Sequence, residues 1–328
     1  MGSAEGSASA SSAEGATDTG RVLVVGEALV DVFPDEEGGP ARASGRVPGG
    51  SPANMAVGLA RLGVDVALLT HIGDDEDGRL VLDHLSSSGV DVVDGSVVPG
   101  RTSTAIARVD AAGVPAYEFD VAWELPPVGQ IEIPPAVHMG SYSAFLEPGA
   151  SRVAEIGERA QAQGALVSFD PNIRPALLPP LQQVQERFDQ LAASASVLKI
   201  SDEDAEWLFP DLSVDGVVEH VLALGTPLVV VTLGDDGAVL ARPNGEVRVP
   251  RAQVDVVDTV GAGDSYMAAL IQSLLAVTDE GVDARGRFAS VDLERLGRYC
   301  AAAAGITVSR RGANLPSSAD LEGVAELP

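Results

Sequence analysis

The 328 residues are 45% hydrophobic, enough to build one large or two ordinary domains around a substantial core. A net charge of −27 excludes nucleic acid and anionic membrane surfaces as partners, and no apolar stretch approaches the roughly 20 residues of a membrane helix. The single cysteine, Cys300, excludes an intramolecular disulfide framework and a cysteine-built metal cage.

Residues 1–20 are Ser, Ala, Gly, Glu and Thr apart from Met1 and Asp18, with almost nothing to bury, and they read as a disordered leader. They lack the basic and apolar regions of a secretion signal, so the expected location is cytoplasmic. The run Arg21 to Gly26 is continuously apolar after its first residue, as a buried parallel strand requires. Similar strands are expected at Asp65 to Thr70, Ala165 to Asp170, Val197 to Ile200 and Pro227 to Thr232. Helical patterns lie between them, at Pro52 to Leu62, Gly78 to Ser88, Arg152 to Gln163, Asp202 to Phe209 and Val214 to Ala223. This alternation predicts an α/β domain over 21–325, with a mostly parallel sheet covered on both faces. Residues of about 32–47 and 96–121 break it with turn signals and period-2 patterning. The clearest case is Thr104 to Val109, the turn Asp110 to Gly113, then Ala116 to Phe119. These stretches predict a small antiparallel sheet inserted into the body as a lid.

Residues able to carry chemistry cluster after the predicted strands, where open α/β sheets bind their ligands. Asp31 follows the first strand and can hold two vicinal sugar hydroxyls, or serve as a turn aspartate. In Gly49-Gly50-Ser51-Pro52-Ala53-Asn54 the glycines permit close backbone approach. Asn54 there offers hydroxyls a donor and an acceptor from a first helical turn. In Asp170-Pro171-Asn172-Ile173-Arg174-Pro175, Arg174 is a candidate for phosphate or substrate contact, or for a surface ion pair. Lys199, the only lysine, can lend charge to phosphates or be an ordinary strand-end residue. Thr232-Leu233-Gly234-Asp235-Asp236-Gly237 follows an apolar strand and by itself is a hairpin turn.

The run Asp258-Thr259-Val260-Gly261-Ala262-Gly263-Asp264 leads into an apolar helix. A helix N-terminus offers free N–H groups and positive potential to an anion, and Gly261 and Gly263 let a phosphate come close. Asp264 beside that pocket can take a proton from an attacking hydroxyl, so the run holds both parts of phosphoryl transfer to an alcohol. Cys300 with Ala301 to Gly305 forms a small-residue surface against which an adenine ring can lie, or which simply packs in the core. No Walker-type loop or protein-kinase signature is present, and His71, His84, His138 and His220 show no metal or triad spacing.

Two of these runs, Gly49 to Gly63 and Asp258 to Asp264, resemble the N- and C-terminal signatures of the PfkB (ribokinase-like) carbohydrate kinases, in the family's order and spacing. The resemblance covers nearly everything after the leader and implies a ribokinase-like three-layer fold. It implies that Asp31, Gly50 and Asn54 bind the accepting sugar and that Asp264 is the catalytic base. The amides of Gly261, Ala262 and Gly263 would form the anion hole. Thr232, Gly234 and Gly237 match a motif that contacts ATP phosphates. Lys199 to Asp204 stands where the family keeps a magnesium-orienting N-x-x-E, here with Ser201 and Asp204 in place of Asn and Glu. The orienting carboxylate is therefore Glu203 or Asp204. Asp258 and the loop Thr307 to Asn314, with Gly312, resemble a potassium site. Asp170 to Pro175 is similar to fructokinase-like members, which implies ATP-dependent phosphorylation of fructose. Ribose, a 2-keto-3-deoxy sugar acid, a phosphosugar and a nucleoside are alternative acceptors, and a non-catalytic sugar-binding regulator is the alternative class. Phe119 and Tyr117 share a parity on the lid strand, to close over the sugar or to pack in a homodimer joined through the lids.

Overall fold

The computed structural model describes residues 20–33, 45–109, 115–277, 288, 290–324 and 327. All but the last residue of the expected leader lies outside the described residues, as do 34–44 of the expected lid and its turn at 110–113. In chain order the strands and helices begin β1 (Val22–Val25), β2 (Leu29–Phe33), β3 (Gly45–Gly49), α1 (Ser51–Arg61), β4 (Val66–Leu69), β5 (Ile72–Gly73) and α2 (Glu76–Ser87). They continue with β6 (Asp91–Val92), β7 (Val97–Val98), β8 (Thr104–Val109), β9 (Pro115–Asp120), β10 (Ala136–Gly140), α3 (Gly149–Ala162), β11 (Leu166–Asp170) and α4 (Leu181–Ser194). Then follow β12 (Val197–Ser201), α5 (Asp202–Leu208), α6 (Val214–Ala223), β13 (Leu228–Thr232), β14 (Ala238–Arg242) and β15 (Gly245–Val249). The C-terminal helices are α7 (Ala262–Ala276), α8 (Leu293–Val308) and α9 (Ser318–Leu321).

The main sheet has the strand order β15-β14-β13-β12-β11-β10-β1-β4-β6. It is parallel from β13 to β6 and antiparallel at the β13–β14 and β14–β15 pairs. Its central strands are buried and mostly apolar because both faces are covered. Val22 and Val24 of β1 pack with Met55, Leu59, Leu270 and Leu296 of α1, α7 and α8 on one face. Leu23 and Val25 pack with Ile156, Phe188, Leu208 and Val221 of α3 to α6 on the other. The result is the three-layer α/β architecture expected.

β1 is flanked by β4 on one side and β10 on the other, so successive connections leave it in opposite directions. Such a switch point opens a crevice at the carboxyl ends of the strands. A second sheet, β3-β2-β8-β9, lies over this end. Its outer pairs are antiparallel, and its central pair β2–β8 is parallel, a pairing that hairpin reasoning does not supply. It also begins earlier than expected. Asp31 lies within β2, on the small sheet itself, and not just beyond a strand of the body. Val97–Val98 pairs with Ile72–Gly73 in a separate two-stranded sheet and takes no part in it. Among the described residues no helix is long and apolar enough to cross a membrane.

Candidate active site

A cleft of about 940 Å³ runs along the carboxyl ends of β1 and β10 to β13, between the small sheet and the N-terminus of α7. At one end Leu29, Asp31, Ala105 and Phe119 reach it from the small sheet. The register explains the grouping, because Asp31 pairs with Ala105 and Ala105 with Phe119, so all three share one face. The Tyr117 side chain lies outside what the structure describes. Burial pushes the Asp31 carboxyl up to about 6, against the opposing pull of Arg174. Arg174 lines the same end and donates to the Ile173 carbonyl at 2.8 Å. Glu27, Ser141 and Tyr142, which sequence reasoning passed over, complete this end.

The centre is built by α1 and α7. Gly261 stands at the N-cap of α7 in a left-handed conformation (φ 80°), where a Cβ would lie 2.9 Å from that of Ala313. This turn places the Gly261, Ala262 and Gly263 backbone in the cleft wall, with the Ala262 amide donating to the Thr259 carbonyl at 3.3 Å. Asp264 follows on the first turn of α7, 7% exposed. Ser51 donates to its Oδ1 at 2.6 Å and Asn54 Nδ2 to its Oδ2 at 3.0 Å. Burial raises the Asp264 pKa, while the Ser51 and Asn54 hydrogen bonds hold it down. Gly50 precedes α1 with φ 100°, and a Cβ there would lie 2.8 Å from the Glu27 carbonyl oxygen. The sequence motif by itself singles out Gly50 and Asn54 but not Ser51.

Lys199 from β12 is buried and ion-paired with Asp170 at 2.8 Å. Its ammonium group is 3.4 Å from where a Gly263 Cβ would stand, so it borders the space above the α7 amides. Asp204 Oδ1 accepts from the Ile173 amide at 3.1 Å, tying α5 to the segment that carries Arg174. Burial, then the neighbouring Asp170 carboxylate, pushes Asp204 up to about 6. Glu203 is exposed beside it, and both line the cleft. A carboxyl crowded in this way gains from a cation, so the donor set fits magnesium, which typically takes one or two carboxylates together with substrate phosphates. Among the described residues no group of three or more His, Cys, Asp or Glu could hold a metal without such help.

At the far end Thr232, Gly234 and Gly237 line the cleft together with Ala301, Ala304, Gly305 and Val308 of α8. Gly237 has φ 90°, and a Cβ there would clash with the Val249 carbonyl oxygen, so the hairpin turn and the cleft wall are one feature. Gly305 also serves packing, because a Cβ would meet that of Ala252 at 2.5 Å. Cys300 does not belong here. It is fully buried among core side chains, burial pushes its thiol far up, and it is absent from the cleft wall. The flat surface is carried by its neighbours on the next turn of α8. Asp258 accepts from the amides of Val260 at 3.1 Å and Gly312 at 3.0 Å, clamping the loop before α7 to the loop after α8. Gly312 itself stays outside the cleft.

The arrangement joins a buried carboxylate, an array of backbone amides and two carboxylates suited to a hard cation, which is the equipment of phosphoryl transfer. The profile described as pfkB family carbohydrate kinase matches residues 19–320. Fructokinase-1 of Zea mays is 34% identical over 322 residues, covering 92% of this chain and 97% of that protein. Among solved structures, the fructokinase of Xylella fastidiosa with bound ATP superposes with a TM-score of 0.80 at 26% identity, covering 93% of this chain and 97% of that one. A fructokinase double mutant from Vibrio cholerae O395, in a form with fructose, ADP and potassium ion bound, gives a TM-score of 0.77 at 27% identity over 93% and 98%. Sequence, fold and cleft agree, and the chain belongs to the pfkB family of carbohydrate kinases.

Proposed function

We propose that this kinase transfers the γ-phosphoryl group of ATP to a hydroxyl of fructose, with Asp264 as base. The observation that carries the reading is the buried Asp264 carboxylate on the first turn of α7, held by Ser51 and Asn54 beside the Gly261 to Gly263 amides. Asp31, Asn54, Gly50, Arg174 and Phe119 hold the sugar at the end under the small sheet. Asp264 takes the hydroxyl proton as the sugar oxygen bonds to the γ-phosphorus. The bond to the bridging oxygen breaks, and its electron pair leaves with ADP. The α7 amides and Lys199 receive the charge that builds on the transferred group. ATP lies along Thr232, Gly234 and Gly237 with its base against Ala301, Ala304 and Gly305. Asp204 and Glu203 would hold magnesium, which would supply charge neutralisation on the phosphates. Asp258 and Gly312 would hold potassium, a monovalent ion that would brace the loop entering the anion hole.

The catalytic unit spans 21–325, works in the cytoplasm, and forms a homodimer through the small sheets, which act as lids. Val47 on β3 is 48% exposed, and β3 and β9 leave sheet edges that a second copy can cover. A panel of sugars and nucleosides assayed for ATP-dependent ADP release tests the substrate, and fructose should give the highest kcat/KM. Asp264→Ala should lose all but a few per cent of turnover, on the order of the 10²–10⁴-fold worth of a general base. Retention of activity in that variant would refute the assignment. Potassium replacing a bulky organic cation at constant ionic strength should raise the rate, and light scattering should report twice the chain mass.

A further inference from the structure

Two polar atoms at the sugar end of the cleft have no partner within the protein. Glu27 Oε2 and the Tyr142 hydroxyl are buried, and neither makes a protein hydrogen bond. Both residues line the cleft, yet they are only 4% and 2% exposed. An unmatched buried polar atom is costly, so a fold that keeps two of them at one end of a binding cleft invites a ligand group to complete them.

Their placement follows from topology. Glu27 comes just after β1 and Tyr142 just after β10, the adjacent strands at the switch point, so both belong to the floor of the crevice. Asp31 from β2 and Arg174 from the segment after β11 act on Tyr142 through their charges, as does Glu27, and Arg174 acts on Glu27. Ser141 and Ser143 lie within hydrogen-bonding reach of Glu27. Ser143, however, gives its hydroxyl proton to the Gly140 carbonyl at 2.7 Å, so towards Glu27 it can only accept. Burial favours a carboxyl group that keeps its own proton and pushes Glu27 up to about 7, against the opposing pull of Ser141 and the Arg174 charge.

We infer that Glu27 and Tyr142 are specificity-determining residues of the acceptor site, which together read one sugar hydroxyl that Asp31 and Asn54 do not hold. The inference rests on the sugar-kinase reading above and deepens it. A site built to match a hydroxyl discriminates strongly against the analogue that lacks it, because the buried groups are then left unpaired. The chemistry commits this end to a polyol, since an apolar ring edge would leave both groups unmatched.

Steady-state kinetics at saturating ATP test it, with fructose and its monodeoxy analogues, on the wild type, Tyr142→Phe, Glu27→Leu and Glu27→Gln. Tyr142→Phe should raise KM for fructose about tenfold, with kcat changed less than about threefold and KM for ATP unmoved. One monodeoxy sugar should cost the wild type a similar factor and cost Tyr142→Phe nothing further. Glu27→Leu should raise KM likewise. Glu27→Gln, which keeps a donor and an acceptor, should recover most of that loss and flatten the rise of KM expected for the wild type as pH passes about 7. Tyr142→Phe deletes a single oxygen and keeps the ring, so it stays informative if Glu27→Leu fails to fold. Wild-type KM in folded Tyr142→Phe, or equal penalties for every deoxy sugar in both proteins, would overturn the inference. If another sugar replaces fructose as the accepted substrate, the fructose reading fails while that sugar's deoxy series still decides this one. A wild type that accepts no polyol overturns both.

Discussion

Replacing Ser51 by Ala isolates the electrostatics of the base. The Ser51 hydroxyl donates to Asp264 Oδ1 at 2.6 Å across 213 residues of sequence. The N-cap of α1 is Gly50, which makes no side-chain cap bond, and Ala is the best helix former for the next position. The substitution therefore leaves α1 intact and removes one hydrogen bond to a charged group, about 1.5–3 kcal/mol. That stabilisation belongs to the ionised form of Asp264, so its loss raises the pKa by about 1–2, at 1.36 kcal/mol for each pH unit. Burial already raises this pKa, and Ser51 and Asn54 restrain it. The base works only when ionised, so kcat is lost as pH falls through the pKa. In Ser51→Ala the acid limb should move upward by the same about 1–2 pH units. The plateau at higher pH should change little, because Asn54 still holds Oδ2 at 3.0 Å. Coupled ADP release at saturating sugar and ATP, measured across the acid and neutral range, reads both quantities. A lowered plateau with an unmoved limb would refute the argument, because Ser51 would then act on geometry alone.

Lys199→Met should destabilise the protein by about 3–5 kcal/mol in urea, since it strands the buried Asp170 carboxylate. Adding Asp170→Asn should restore most of that stability but not turnover, and a single variant as stable as the wild type would contradict this. Gly261→Ala should lower stability by about 1–3 kcal/mol through its left-handed backbone and its contact with Ala313. Gly263→Ala meets only the Lys199 ammonium at 3.4 Å, so it should keep its Tm and lose kcat, and equal Tm losses would sink the distinction. Burial raises Glu27 from 4.5 to about 7, so the folded state holds this proton more tightly than the unfolded state. Wild-type stability should therefore fall by about 3 kcal/mol relative to Glu27→Gln as pH rises between those two values, whereas parallel stability curves would rule that out.

Much of the α/β body could be read directly from the chain. A strand covered on both faces must be an uninterrupted apolar run, so β1, β4, β11, β12 and β13 appear within a residue or two of their expected places. The candidate anion hole and base were equally legible, because Gly261 to Asp264 form one turn and one helix start whose geometry is local. β10 escaped notice because His138 interrupts its apolar pattern, although burial and Lys199 keep that ring neutral with a pKa of about 3 and it bonds to Ser168 at 3.0 Å. The hairpin β14–β15 and helix α4 were also passed over. Losing β10 hid the switch point, and with it the approach of Tyr142 to Glu27. Cys300 shows the converse, since its small-residue neighbourhood resembles a binding surface until the packing of α8 turns it inward. The Ser51–Asp264 and Asp170–Lys199 contacts join segments far apart in sequence or on adjacent strands. Periodicity reports which face of an element is buried, but not which element it meets. That choice is made by packing across the whole chain, and it decides which carboxylates stand together in the cleft.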